Sequence, residues 1–218
     1  MKRPITLALA LSLTASLGVL APATAEEPEG SATSAILLIG DGMSLAQIYS
    51  AEIFAEEVLG SSLAMPGIVD NAVTRTHSAD SMVTDSAAAG TAIHSGYKTD
   101  NGAINVLPDG AWTYTLGQAA QAAGKSVGVL STARMTHATP ASVYGHDADR
   151  DAENLFAEQM AEFMPEVALG GGARHFLPDG KRDDGRDIIA EMVDAGYTNV
   201  TDAAELAAVD TENTDNLL

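Results

Sequence analysis

A serine followed by small residues is the strongest chemical signal in the sequence. Residues 83–92 read VTDSAAAGTA, which predicts a helix over 84–94 with Thr84 or Asp85 as its N-cap. Ser86 would then lie in the first turn, where free backbone N–H groups and the helix dipole favour negative charge. A hydroxyl at this position could bind a phosphate and be held by a metal as an alkoxide. Taken alone, such a run more often marks only a buried helix.

A carboxylate follows the first aliphatic segment of the chain. Residues 35–39 (AILLI) predict a buried, parallel strand, and Asp41 stands directly after it between two glycines. Ligands of open α/β sheets bind at the carboxyl ends of strands, and a carboxylate at that edge suits a hard or borderline cation. The alternative is that Asp41 is a turn residue that caps the following helix.

Two later segments carry polar groups that could serve the same site. His137 and Thr139 are two residues apart on a segment interpreted as extended, so their side chains can point to the same side. Thr139 could bind magnesium or its water, and His137 could bind a metal or simply be solvated. Arg150 could clamp a phosphate dianion with two hydrogen bonds, although a salt bridge with Asp147 or Asp151 is as good an explanation.

In this order along the chain, these segments resemble the alkaline phosphatase signature. They are 39–43 (IGDGM), 85–92 (DSAAAGTA), 137–141 (HATPA) and Arg150. The resemblance implies an α/β, three-layer sandwich with a largely parallel central sheet, incomplete in this chain. It also implies hydrolysis of phosphate monoesters through a phosphoserine intermediate, with two Zn²⁺ and one Mg²⁺ as cofactors.

The resemblance assigns a role to each candidate residue. Ser86 would be the nucleophile and a zinc ligand, and Asp41 would bridge one zinc and the magnesium. Thr139 would be a magnesium ligand, His137 would contact magnesium through water, and Arg150 would hold two phosphate oxygens. The family's remaining ligands belong to its C-terminal half, and the other histidines do not show their spacing. We therefore expect the isolated chain to be inactive or nearly so.

Two other functions stay open on the sequence. One is a non-catalytic, truncated product that binds phosphate or metal, and the other is a phosphodiesterase on the same scaffold. Phosphate binding without turnover would indicate the first, and the relative rates on monoesters and diesters would identify the second.

The N-terminal residues predict export. Residues 1–25 combine a positive start, an apolar run and an A-x-A site at 23–25, which is typical of a cleaved secretory signal peptide. Residues 26–34 form a polar leader, and 35–218 form the N-terminal portion of the phosphatase-like domain. We expect a periplasmic or secreted protein that is free of the membrane after cleavage. An uncleaved anchor is the alternative, but the apolar run is short for a membrane span.

Charge and cysteine content limit the partners. The formal net charge of −19 argues against nucleic-acid partners and anionic membrane surfaces, and it would slow an anionic substrate unless cations reverse the potential locally. The sequence contains no cysteine, so stability must come from packing, bound metals or a partner subunit. A homodimer is expected only by analogy with the family.

Strands alternate with helices in the remaining pattern, which indicates an α/β domain with a largely parallel sheet. Residues 65–76 look extended, 98–112 are rich in turn residues and predict a hairpin region, and no closing element is predicted near residue 218. The predicted helices are 44–59, 84–94, 115–123, 151–162 and 185–195, and the predicted strands are 35–39, 126–131, 167–169 and 198–200.

Overall fold

The computed structural model describes residues 32–65 and 72–218. The predicted signal peptide at 1–25 and most of the polar leader lie outside the described residues. The chain divides into two units, Met1–Gly40 and Asp41–Leu218, and every candidate site residue belongs to the second.

The described part of the first unit does not form the predicted strand. Residues 35–39 have no regular secondary structure, and Ile36 and Leu38 are 89% and 88% exposed. An extended segment becomes a stable strand only when it gains ladder hydrogen bonds and buries its side chains. The aliphatic pattern alone was therefore not sufficient, and this prediction is wrong for the described structure.

The second unit is built on a four-stranded, parallel sheet, as the sequence predicts. Its strands have the spatial order β1-β2-β4-β3. They are β1 (Gly128–Arg134), β2 (Val167–Gly171), β3 (Tyr197–Thr198) and β4 (Asn216–Leu217). β4 corrects the expectation that no closing element exists near residue 218, because it lies between β2 and β3.

Helices precede and connect these strands, and all five predicted helices are present with bounds shifted by a few residues. They are α1 (Leu45–Phe54), which continues as a π-helical turn over Ala55–Leu59, α2 (Ser86–Ser95), α3 (Leu116–Ala122), α5 (Glu153–Phe163) and α6 (Ile188–Asp194). Within the described ranges, three shorter pieces were not predicted: α4 (Ala138–Ala141), a 3₁₀ turn (Ala173–His175) and α7 (Ala203–Ala207).

The core joins the sheet to its covering helices. Val129 of β1 and Ala168 of β2 belong to one buried cluster with Phe156 and Met160 of α5 and Ile188 of α6. These apolar side chains are almost wholly removed from water, so the hydrophobic effect fixes α5 and α6 against the sheet. Over residues 32–65 and 72–218, none of the helices has the length and apolar character needed to cross a membrane.

The turn-rich segment at 98–112 contains a minimal hairpin. Val106 and Trp112 form an antiparallel bridge, which confirms the hairpin interpretation. A second antiparallel bridge joins Ile104 to Asp147, so the segment also reaches the chain just before Arg150. By contrast, the described residues 72–76 have no regular secondary structure, and residues 66–71 lie outside the described part of the chain.

The helices α2 and α4 approach each other closely. A Cβ atom at Gly90 of α2 would lie 2.4 Å from Ser142 Oγ and 2.9 Å from Ser142 Cβ, just after α4. Only a glycine at position 90 allows this separation without a shift of one helix. The small-residue run recognised in the sequence therefore serves to bring these two helices together.

Candidate active site

Ser86 is the first residue of α2 and so lies in the first turn, as predicted. The N-cap is Asp85, whose Oδ1 accepts a hydrogen bond from the backbone N–H of Ala88 at 2.9 Å. A carboxylate is a favoured N-cap because it satisfies a backbone donor that has no partner within the helix. This cap fixes Ser86 at the positive end of the helix, with its side chain half-buried.

Three oxygen-bearing side chains meet at this point. Ser86 Oγ lies 3.0 Å from both carboxylate oxygens of Asp41 and donates its hydrogen to that carboxylate. Thr139 Oγ1 donates to Asp41 Oδ2 at 2.8 Å. We call Asp41, Ser86 and Thr139 the oxygen cluster. They come from three segments of the chain, and the carboxylate at their centre joins them.

The cap interpretation of Asp41 is wrong. The N-cap of α1 is Ser44, whose Oγ accepts a hydrogen bond from the Ala46 backbone N–H at 3.3 Å. Asp41 is left to point at Ser86 and Thr139 instead. Its exposed position after Gly40 also keeps the carboxylate accessible from solvent.

His137 and Thr139 do not share one direction, because the segment is not extended throughout. His137 is the extended N-cap residue of α4, and Thr139 already lies within that helical turn. Residues two apart on a helix point to different sides. Thr139 therefore reaches Asp41, whereas the His137 ring lies against Arg150, with 3.2 Å between His137 Nε2 and Arg150 Nη2.

The contact with Arg150 also determines the charge of His137. Because a guanidinium only donates hydrogen bonds, His137 Nε2 must be the acceptor, which assigns the ring proton to Nδ1. Burial is the largest influence that lowers the pKa of His137, and the positive charges of Arg150 and Arg134 lower it further. The carboxylates of Asp41 and Glu153 oppose this shift without cancelling it.

Arg150 pairs with Asp85 rather than with either aspartate expected from the sequence. Arg150 Nη1 lies 2.9 Å from Asp85 Oδ2, whereas Asp147 accepts a hydrogen bond from the backbone of its own turn. Gly102 supports this pair from both sides. Its N–H donates to Asp85 Oδ2 at 2.9 Å, and its carbonyl accepts the Arg150 N–H at 2.7 Å.

Asp85 is thus a site residue that sequence reasoning treated only as a helix cap. It holds the guanidinium of Arg150 beside the first turn of α2, next to Ser86. Its adjacency to Ser86 was the signal that could have identified it, because any group bound to Asp85 must lie close to that serine. The arrangement places a hydroxyl, a helix N-terminus and a cation together, which suits a bound oxyanion.

The donor set of the oxygen cluster fits magnesium. One carboxylate and two hydroxyl groups are hard oxygen donors, and magnesium binds through one or two carboxylates while keeping several waters. Zinc prefers three or four protein ligands that include nitrogen or sulfur. In the part of the chain that the structure describes, no group of three or more His, Cys, Asp or Glu side chains converges. The three members of the oxygen cluster include no nitrogen or sulfur donor, so they suit zinc less well than magnesium.

Comparison with known proteins connects this geometry to one family. The family model described as alkaline phosphatase matches residues 32–218. Alkaline phosphatase 3 of Bacillus subtilis is 36% identical over 182 residues, which cover 78% of this chain and 38% of that protein. The chain thus spans well under two thirds of the length of this relative.

Solved structures give the same result. The alkaline phosphatase of Thermus thermophilus is 40% identical, with a TM-score of 0.76 over 82% of this chain and 37% of that chain. A mutant of the alkaline phosphatase from the Antarctic bacterium TAB5 with Mg bound in the M3 site is 29% identical, with a TM-score of 0.64 over 77% and 48% of the two chains. The region matched by the family model contains the parallel sheet, the whole oxygen cluster and Arg150. This chain belongs to the alkaline phosphatase family.

Proposed function

We propose that this chain supplies the nucleophile and the phosphate-binding arginine of a metal-dependent phosphomonoesterase. The observation that carries this proposal is the position of Ser86. Its Oγ lies at the N-terminus of α2, 3.0 Å from both oxygens of Asp41, and the neighbouring Asp85 holds Arg150. A phosphate group placed there would meet a nucleophile, a guanidinium and free helix N–H groups together.

The reaction proceeds in two displacements at phosphorus. Ser86 Oγ loses its proton to water and attacks, the ester P–O bond breaks, and the leaving alcohol takes up a proton. Water then attacks the phosphoserine, the bond to Ser86 Oγ breaks, the serine regains a proton, and inorganic phosphate is released. Arg150 donates two hydrogen bonds to the phosphoryl oxygens, whose charge is what catalysis must balance.

Metals complete the site in this proposal. Asp41 and Thr139 would hold Mg²⁺, Asp41 and Ser86 would contribute to one of the two Zn²⁺, and His137 would reach the magnesium only through water. When bound, these cations lower the pKa of the serine hydroxyl and neutralise phosphate charge. The TAB5 mutant with Mg bound in the M3 site supports magnesium as one of the cofactors.

Export and assembly remain proposals as well. We propose cleavage after residue 25, a periplasmic or secreted location, and a homodimer by analogy with the family. N-terminal sequencing of the exported protein and its mass under native conditions test these three points.

The test of the proposed function compares Ser86→Ala with Ser95→Ala in the full 218-residue chain, with Zn²⁺ and Mg²⁺ present. Ser95 is the matched control because it ends the same helix, and its Oγ donates to the Thr91 carbonyl at 2.7 Å, away from the oxygen cluster. We expect inorganic phosphate to bind to the wild-type chain and to Ser95→Ala, and to phosphorylate Ser86 detectably by mass at acidic pH. Monoester turnover is expected to be low, because Asp41 and Ser86 are few ligands for zinc.

The outcomes separate the remaining functions. Phosphate binding without phosphoserine or turnover indicates a binding protein, and faster hydrolysis of diesters than monoesters indicates a phosphodiesterase. Turnover or phosphorylation that survives in Ser86→Ala refutes the assigned nucleophile.

A further inference from the structure

Glu153 is a buried carboxylate close to the site but outside the oxygen cluster. It is the first residue of α5 and is only 9% exposed. Arg134 binds it with two hydrogen bonds, Nε to Oε2 at 2.6 Å and Nη2 to Oε1 at 2.8 Å. Thr136 Oγ1 donates to Oε2 at 2.7 Å, and His175 Nε2 lies 3.2 Å from the same oxygen.

These partners place Glu153 between the two segments that carry the phosphate site. Arg134 ends β1, and Thr136 directly precedes His137 on the approach to Thr139. On the other side, Glu153 follows Arg150 by three residues within one short turn, in which the Glu153 N–H donates to the Asp151 carbonyl at 2.7 Å. The carboxylate is therefore a clamp between the chain that leads to Thr139 and the chain that presents Arg150.

At the phosphate site, the two segments that Glu153 joins meet where the Arg150 guanidinium contacts the His137 ring. One end of the guanidinium is fixed by Asp85 and the other lies 3.2 Å from His137 Nε2. His137 and Arg150 lie on opposite segments, so the contact between them lengthens if the two segments move apart. The contact of Arg150 with Asp85 does not join these segments, because Asp85 caps α2. The direction of the Arg150 donors thus depends on the clamp.

We propose that Glu153 is a positioning residue of the phosphate site, holding the Arg150 guanidinium in register with His137 and Thr139 through its hydrogen bonds to Arg134 and Thr136. This inference rests on the proposed function, because it concerns the arginine assigned there to phosphate.

The charge state of Glu153 agrees with this role. Burial acts to raise the pKa of Glu153, but hydrogen bonds from Arg134 and Thr136 and the nearby charges of His175 and Arg134 outweigh it, so the pKa is lowered overall. The carboxylate is therefore ionised at neutral pH and can accept all of its hydrogen bonds at once. A neutral amide of the same size offers one acceptor oxygen instead of two, so it cannot accept both hydrogen bonds of Arg134 together with the one from Thr136.

The experiment compares Glu153→Gln with Glu158→Gln in the full chain, with Zn²⁺ and Mg²⁺ present. Glu158 is the matched control because it lies on the same helix and pairs with two arginines, Arg182 at 2.7 Å and Arg186 at 2.9 Å. Arg182 also donates to the Asn154 and His175 carbonyls, but these contacts do not involve Arg134, Thr136 or Arg150. Inorganic phosphate is the probe, titrated by calorimetry, and the ¹⁵N signals of the His137 ring report its contact with Arg150. Urea unfolding of both variants measures the stability lost by each.

We expect Glu153→Gln to bind phosphate about ten-fold more weakly than wild type, as the misdirection of a charge-assisted hydrogen bond implies, and Glu158→Gln to bind it normally. The His137 ring signals should shift only in Glu153→Gln, and Glu153→Asp should restore part of the affinity. Normal phosphate affinity in Glu153→Gln, or equal weakening in both variants in proportion to lost stability, overturns the inference. If wild type itself fails to bind phosphate, the proposed function fails, and an unchanged His137 signal in Glu153→Gln would overturn the clamp separately.

Discussion

Replacement of Gly90 by alanine tests how closely the nucleophile helix must pack. The new Cβ would meet Ser142 Oγ at 2.4 Å and Ser142 Cβ at 2.9 Å, where ordinary contacts lie beyond 3.4 Å. Rotation of the Ser142 hydroxyl would relieve only the first contact, and it would break the hydrogen bond that Ser142 Oγ donates to the Thr139 carbonyl at 2.7 Å. The helices must therefore move apart by several tenths of an ångström.

Three contributions determine how much Gly90→Ala changes the free energy of unfolding. Overpacking of a closely packed contact costs roughly 1–3 kcal/mol, and loss of the Ser142 hydrogen bond costs about 1 kcal/mol more. Alanine stabilises a helix by about 0.8–1.0 kcal/mol relative to glycine. We expect Gly90→Ala to reduce the free energy of unfolding by about 1–3 kcal/mol, although the same substitution would stabilise an exposed helix.

The assay is urea unfolding of four chains followed by far-UV circular dichroism: wild type, Gly90→Ala, Ser142→Gly and the double variant. Removal of the Ser142 side chain eliminates both close contacts and the hydrogen bond at risk. The double variant should therefore be more stable than the sum of the single effects predicts by about 2–4 kcal/mol, the combined overpacking and hydrogen-bond costs. Ala89→Gly measures the helix-propensity contribution in the same helix. A Gly90→Ala chain more stable than wild type, or strictly additive single effects, would refute the packing argument.

Two further predictions concern the same helix. Asp85→Asn keeps a good N-cap but loses the ion pair with Arg150, so it should lower the free energy of unfolding by about 0.5–1 kcal/mol. Asp85→Ala also loses the cap and should lower it by about 1 kcal/mol more. Equal melting temperatures of the two variants would contradict this division. Burial lowers the pKa of His94, so as the pH falls His94 is protonated in the unfolded chain before it is protonated in the folded chain. The stability that neutral His94 contributes is therefore lost below about pH 6.5, by at most about 1.4 kcal/mol per pH unit. Urea midpoints at pH 7.5 and 5.5 should therefore differ less in His94→Leu than in wild type, and an unchanged difference would exclude His94 as a cause.

His94 is a suitable probe because both of its ring nitrogens are buried without a hydrogen-bond partner in the described structure. The helices α2, α3 and α4 contain no aspartate, glutamate, lysine or arginine, so no charge on them compensates for protonation of the ring. His94 lies in the last turn of α2, where the helix dipole favours a positive charge, but this effect is small beside the cost of burial.

Local features of the site could be predicted from the sequence. The prediction that Thr84 or Asp85 caps a helix with Ser86 in its first turn depends on neighbouring residues, and the structure confirms it with Asp85 as the cap. The helix predicted over 151–162 likewise lies within two residues of the observed bounds of α5. These predictions succeeded because the physical cause lies within one or two helical turns.

Long-range partners could not be predicted by the same reasoning. Arg150 pairs with Asp85, 65 residues away, although two aspartates stand much nearer to it in the sequence. The α4 turn redirects Thr139 to Asp41, a partner 98 residues away, and so separates it from His137. The order of the motifs indicated which residues belong together, whereas the hydrogen bonds between them depend on how the sheet and helices pack.

The position of β4 has a consequence for how the chain acquires its structure. β3 pairs with β4, and β4 pairs with β2, so β3 is joined to the rest of the sheet through Asn216–Leu217. The backbone N–H of Leu217 donates to the Glu166 carbonyl at 2.9 Å, and that of Leu218 donates to the Thr198 carbonyl at 2.9 Å. The inner strand is thus the last of the four to leave the ribosome. Before β4 is synthesised, β1 and β2 can already pair, but β3 has no ladder partner among the described strands. Insertion of β4 between β2 and β3 is then a slow, non-local step that closes the sheet.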